Sequence, residues 1–136
     1  MFKIVESEIS IQDVIDAVDT PEAGAVVTFV GVVRDNSKGR MVCYLEFEAY
    51  RPMAEKKMRE IAGEIYAKWG LDRVAMLHRV GRLEIGEVIV AIAVASPHRN
   101  EAFTACQYAI DRLKKVVPIW KREVWQDGTE EWVEPN

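Results

Sequence analysis

Five cations crowd one short stretch of this sequence: Arg112, Lys114, Lys115, Lys121 and Arg122 fall within eleven residues, with no acid among them. Pro118 interrupts the run, so Lys114 closes one element and Lys121 belongs to the next. Two further basic features stand apart. Arg34 follows an apolar stretch, 25–33, and leads into the polar segment 35–40. His98 and Arg99 open a helical pattern, where free backbone N–H groups and the positive end of the helix dipole favour an anion. Residues of these types can bind a small anionic ligand, stabilise developing negative charge and exchange protons.

The chain around them is not basic. It carries 18 Lys+Arg against 22 Asp+Glu, a formal net charge of -4, so the cluster suits a small anion and not a nucleic acid, whose binders are basic over a whole face. With 136 residues, 49% of them hydrophobic, the chain reads as one domain (1–136) that buries about two-thirds of its unfolded surface. The longest nearly apolar run, 88–95, is far short of the roughly 20 residues of a membrane helix, and no signal-peptide core is visible. A cytoplasmic protein is expected. Cys43 and Cys106 belong to no Cys-x-x-Cys pattern and read as small buried apolar side chains. With His78 and His98 the only histidines, no zinc set assembles and no metal is expected.

The elements that must position these residues follow from periodicity. Residues 2–8 alternate as a short strand. Ser10 caps a helix whose stripe is Ile11, Val14, Ile15 and Val18. The stretch 25–33 is apolar on both faces and reads as a central strand, pairing as a hairpin with 42–50 across a flexible loop at 35–40. Pro52 starts a second helix that stops at Gly70. Strands at 73–80 and 87–95 are joined through Gly81 and Gly86. Ser96 and Pro97 read as N-cap and first residue of a third helix, which runs to the Pro118 break. A last strand, 119–125, precedes an acidic tail, 126–136, with Trp132 as its anchor. The expected class is α+β, with a mainly antiparallel sheet and three main helices.

Geometry adds a constraint. Arg99 and Lys114 are fifteen residues apart on one helix, about 22 Å along its axis. One small ligand cannot touch both within a chain. If both ends serve one ligand, a second copy must bring its His98 and Arg99 to the first copy's Lys114, as a homodimer. Plainer readings stay open on the residues alone: Lys114 as a complement to the helix dipole, Lys121 as a solvated strand residue, Arg34 in an ion pair and His98 as part of a cap.

Five stretches in order, 24–34 (GAVVTFVGVVR), 45–50 (LEFEAY), 78–86 (HRVGRLEIG), 96–103 (SPHRNEAF) and 113–123 (LKKVVPIWKRE), resemble the large, catalytic subunit of molybdopterin synthase, the MoaE family. The resemblance spans essentially 1–134. It implies an α/β-hammerhead-like domain with a small extra β subdomain. It also implies a sulfurtransferase of molybdenum cofactor biosynthesis, which converts cyclic pyranopterin monophosphate (precursor Z) into molybdopterin by inserting two dithiolene sulfurs. The sulfur arrives on the C-terminal Gly-Gly thiocarboxylate of a small ubiquitin-like subunit, whose tail enters a pocket on the large one. The implied assembly is a homodimer of large subunits within a heterotetramer. No cofactor is implied, since the pterin is the substrate.

Carried over by position, Lys114 and Lys121 match the family's catalytic lysines and also contact substrate. Arg34, His98 and Arg99 match substrate-binding positions, the last two contributed by the neighbouring protomer. Val32 and Val33 precede Arg34, and Arg122 and Glu123 follow Lys121, within the same substrate-binding segments. Val32 stands where some relatives carry a basic residue, so it offers a backbone contact at most. The rival function is a non-catalytic dimeric module that binds a phosphate-bearing metabolite or a partner's C-terminal tail without turnover.

Overall fold

A computed structural model of the chain describes residues 1–133; the last three residues of the acidic tail lie outside the described residues. Twelve elements follow in order: β1 (Phe2–Val5), α1 (Ile11–Val18), β2 (Ala25–Val32), β3 (Asn36–Ser37), β4 (Arg40–Ala49), α2 (Arg51–Trp69), β5 (Arg73–Arg79), β6 (Gly81–Glu84), β7 (Val88–Ser96), α3 (Arg99–Val116), β8 (Ile119–Trp125) and β9 (Glu130–Val133). The expected α+β class holds, with three main helices. One sheet has the order β1-β5-β7-β2, antiparallel except for the β1–β5 pair. The other, the extra β layer, sets β4 between β6 and β8, with β3 on the start of β4 and β9 outside β8.

Strand alternation divides the core of the first sheet. Val74, Met76, Val90, Ile92 and Val94 face α2 and α3, packing on Met58, Ile61, Ile65, Ala105 and Ala109. Ala75, Leu77, Ala91, Ala93 and Ala95 point the other way, under Val14 and Val18 of α1. Ala105 and Ala109 let α3 lie close to one face of the sheet, and the sheet's own alanines do the same for α1 on the other. Pro52 in the first turn of α2 and left-handed Gly70 at its C-cap end that helix as its sequence requires. Among the described residues no helix is long and apolar enough to cross a membrane.

Several expectations are corrected. β2 is not central: among the described residues it pairs only with β7 and forms the sheet's edge. Its Val27 and Phe29 pack on the core while Val26 and Thr28 are exposed; β-branched residues report fit to a pleated surface, not position in a sheet. β2 and β4 do not form a hairpin, because they belong to different sheets. The segment read as a flexible loop holds β3, which itself makes a tight hairpin with β4. The connection from β5 to β7 contains β6, and β8 is followed by β9. Trp132 on β9 is half exposed beneath the Arg122 guanidinium.

Two details of phase also differ. The β4–β8 ladder slips between Val42 and Tyr44, which turns Val42 inward with Leu45 and Phe47 and leaves Cys43 exposed. Cys106 is buried as expected, and burial pushes its thiol up to about 11. Helix α3 begins at Arg99 with His98 as N-cap, not at Pro97. Ser96 is already engaged by the sheet: it pairs with Ala25, its carbonyl accepts the Gly24 N–H at 3.0 Å, and its Oγ accepts the His98 N–H at 3.3 Å. Ser10 precedes α1 as expected but makes no side-chain cap bond.

Gly24 controls the entry to α3. A Cβ there would sit 2.5 Å from the Pro97 carbonyl oxygen, a backbone atom that cannot swing aside. Gly24→Ala is therefore expected to destabilise the fold by about 1–3 kcal/mol, seen as a lower urea midpoint at unchanged slope. An unchanged midpoint would show that the 96–98 segment yields without cost.

Candidate active site

The cleft begins where α3 ends. Val117 donates its N–H to the Leu113 carbonyl at 3.1 Å, and Pro118, lacking an N–H, cannot extend the ladder. The Ile119 N–H then bonds the Val117 carbonyl at 2.9 Å, turning the chain straight into β8. Lys114 in the last helical turn and Lys121 in the strand thereby line the same space. That space is a cavity of ≈ 260 Å³ between the two sheets, walled by Phe29 and Gly31 of β2, Phe47 of β4 and Leu113 of α3. A second cavity, ≈ 350 Å³, shares Val32, Arg34, Ile89, Lys114 and Lys121 and adds Asn36, Ser37 and Glu123. Together they form one cleft with an apolar end and a polar end.

The β2–β7 ladder slips between Gly31 and Val32, leaving Ile89 without an opposite residue, and Ile89 lines both parts of the cleft. Past this slip Val33 is buried and its backbone is pinned: its N–H bonds the Glu87 carbonyl at 3.0 Å, and its carbonyl accepts the Gly86 N–H at 2.9 Å. That anchor aims the next residue, Arg34, into the cleft. Among the described residues neither Arg34 nor Lys114 has an ion-pair partner. Lys121 is only loosely paired, with Nζ 3.5 Å from Glu123 Oε1. Glu123, 4% exposed, also accepts from the Ser37 hydroxyl, which lies 3.0 and 2.9 Å from its two oxygens. The cleft thus sets three cations against one buried carboxylate, which suits an anionic guest.

His78 closes the apolar end. Its Nδ1 lies 2.8 Å from the Arg79 carbonyl, and its ring meets Phe47 edge to face at 5.2 Å. Burial pulls its pKa down to about 4, against the opposing effect of the backbone hydrogen bond. At neutral pH it is a neutral imidazole, with Nδ1–H donating to the carbonyl.

Of the residues singled out in the sequence, Val32, Arg34, Lys114, Lys121 and Glu123 converge on the cleft. Val33 anchors from behind. Arg122 lies on the opposite face of β8, pairing Glu46 at 2.5 Å and Glu130 at 3.1 Å. His98 and Arg99 line a separate surface hollow at the start of α3, beside Gly24 and Glu101. Sequence reasoning missed His78, Phe47 and Ser37. For Ser37 the one local signal is Gly39, which can take the positive φ of a tight hairpin turn.

The chain is similar to known proteins over almost its whole length. The family model described as MoaE protein matches residues 4–116. A molybdopterin synthase catalytic subunit from Halalkalibacterium halodurans is 54% identical over 132 residues, 97% of this chain and 84% of that protein. Its counterpart from Bacillus subtilis is 47% identical over 132 residues, 97% of this chain and 83% of that protein. The crystal structure of molybdopterin synthase from Staphylococcus aureus superposes with a TM-score of 0.93 at 46% identity, covering 97% of this chain and 96% of that one. A Helicobacter pylori complex of subunits 1 and 2 of molybdopterin-converting factor shares the fold, with a TM-score of 0.78 at 20% identity over 97% of this chain and 89% of that one.

The buried imidazole makes stability depend on pH. Unfolded, His78 protonates near its ordinary 6.5; folded, it stays neutral down to about 4. The unfolded state therefore binds the proton first, and stability falls as pH drops from 6.5 towards 4. Between about pH 7.5 and about pH 5 the loss from this group is about 2 kcal/mol. Urea unfolding at the two pH values should show this loss in the wild type and not in His78→Gln; equal losses would remove His78 as its source.

Proposed function

The chain belongs to the MoaE family, and from that premise we propose that it is the catalytic subunit of a molybdopterin synthase in molybdenum cofactor biosynthesis. As such it is a sulfurtransferase, converting cyclic pyranopterin monophosphate into molybdopterin by inserting two dithiolene sulfurs. The observation that carries this reading is the convergence of Lys114 and Lys121, from the two sides of the Pro118 break, on one cleft with Arg34.

The cleft's chemistry supports the roles. A thiocarboxylate is already a good nucleophile, so the protein need not create one. What it supplies is positive charge where negative charge develops, in a partly water-excluded site where such charge acts strongly. Lys114, without an ion-pair partner among the described residues, is the main electrostatic stabiliser. Lys121 is the second catalytic lysine, and Arg34 binds the phosphate by charge-assisted hydrogen bonds. The reading needs no metal or organic cofactor. The donor is a small ubiquitin-like subunit with a C-terminal Gly-Gly thiocarboxylate. Two glycines carry no side chains, which suits them to the narrow apolar end between Phe29, Phe47 and Leu113. The cytoplasm is the compartment this reading assigns.

His98 and Arg99 enter from a second copy of the chain. Two features support this: the length of α3, and the open edge of β2, where Val26 is 43% exposed and, on the α3 side, Phe103, sharing a hollow with Val27 and Thr28, is 61% exposed. The assembly is then a homodimer of this chain within a heterotetramer, each site completed by the other protomer.

Single-turnover conversion of precursor Z with a thiocarboxylated small subunit tests the proposal. Lys114→Ala should slow product formation by at least roughly 100-fold while small-subunit binding persists. Near-normal turnover by the variant would reduce Lys114 to a helix-end charge. Binding without product in the wild type would favour a non-catalytic module.

A further inference from the structure

The lysines have a role in this reading, but the hairpin beside them does not. The turn between β3 and β4 consists of Lys38 and Gly39, both at positive φ (55° and 74°), the combination whose twist matches paired strands. It sets Ser37 opposite Arg40. Arg40 in turn lies 4.0 Å above the Trp125 ring and pairs with Asp127 at 2.6 Å, which ties the hairpin to the end of β8. Ser37 is thereby held against Glu123, with Oγ 3.0 and 2.9 Å from the two carboxylate oxygens.

Glu123 is a buried charge, and such a group needs partners. Among the described residues its side chain has two, the Ser37 hydroxyl and the Lys121 ammonium. A full charge-assisted N–H···O bond closes to about 2.7–2.9 Å. Lys121 stays at 3.5 Å, so the hydroxyl supplies a bond that the carboxylate would otherwise draw from the lysine.

We propose that Ser37 is a positioning residue for Lys121: by hydrogen-bonding Glu123 it keeps the lysine loosely tethered, with its ammonium free to reach the substrate. The inference rests on the synthase reading for the reaction itself. Without the hydroxyl, Glu123 has the lysine as its one side-chain partner among the described residues, and Nζ is drawn onto the carboxylate and away from the substrate. Such a change acts on the chemical step more than on substrate capture.

The test is kinetic, with precursor Z as the varied substrate, the thiocarboxylated small subunit in excess, and thermal unfolding as a control for the fold. Ser37→Ala is expected to lower kcat roughly 10-fold with KM changed by less than about twofold, and Ser37→Thr, which retains the hydroxyl, to restore most of kcat. A kcat for Ser37→Ala within about twofold of wild type overturns the inference. So does an equal fall in both variants, or a rise in KM alone, since either would mean that the serine only packs the hairpin. A wild type that forms no product overturns the synthase reading and this inference together. An active wild type with an indifferent Ser37→Ala overturns this inference alone.

Discussion

At Pro118 the backbone can neither donate a hydrogen bond nor remain helical, and the cleft exists because the chain must turn there. The turn is short: Val117 caps α3, and Ile119 already belongs to β8. A longer connection would let the helix end and the strand drift apart, and with them Lys114 and Lys121. The break also joins the two layers of the molecule, since α3 packs on the first sheet and β8 is a strand of the second. The cavity between the sheets is bounded by both, so the residue that ends the helix also closes the wall of the cleft.

Charge in the cleft is arranged in a similar economy. Three cations face it, and one buried carboxylate, Glu123, offsets them. That carboxylate is itself divided between a serine and a lysine. Arg122, adjacent in sequence to both Lys121 and Glu123, is directed by strand alternation to the other face, where Glu46 and Glu130 neutralise it. The apolar wall adds no charge of its own, because burial holds His78 neutral. An anion entering the cleft therefore meets charge on one side and a dry wall on the other, the setting in which fixed cations act most strongly on developing charge.

Much of this was legible in the sequence, for local reasons. Pro52, Gly70 and Pro118 mark helix boundaries through their own backbone constraints, and the structure agrees with each. The grouping of Lys114 with Lys121 follows from one proline between them. What was not legible depends on contacts distant in sequence. Ser96 looks like a helix cap until the sheet claims it. β2 looks central because its composition is apolar, yet only strand order decides its place at the edge. The phase of β4 reverses at a ladder slip that no periodicity reveals, which exposes Cys43. His78 sits in an apolar strand with nothing local to mark it, and Ser37 gains meaning only once β4 pairs with β8 and brings Glu123 within reach.

The central claim is that one site is built from two copies of the chain, because a rigid helix holds Arg99 about 22 Å from Lys114. Mixed dimers test it most directly. Lys114→Ala and Arg99→Ala proteins, each inactive alone, would be unfolded together in equal amounts, refolded, and assayed for molybdopterin formation. In a mixed dimer one site loses both residues and the other regains both, and about half of the dimers are mixed. The account predicts recovery of about a quarter of wild-type activity. No recovery, with mixed dimers shown to be present, would contradict it and place every working residue of a site within one chain.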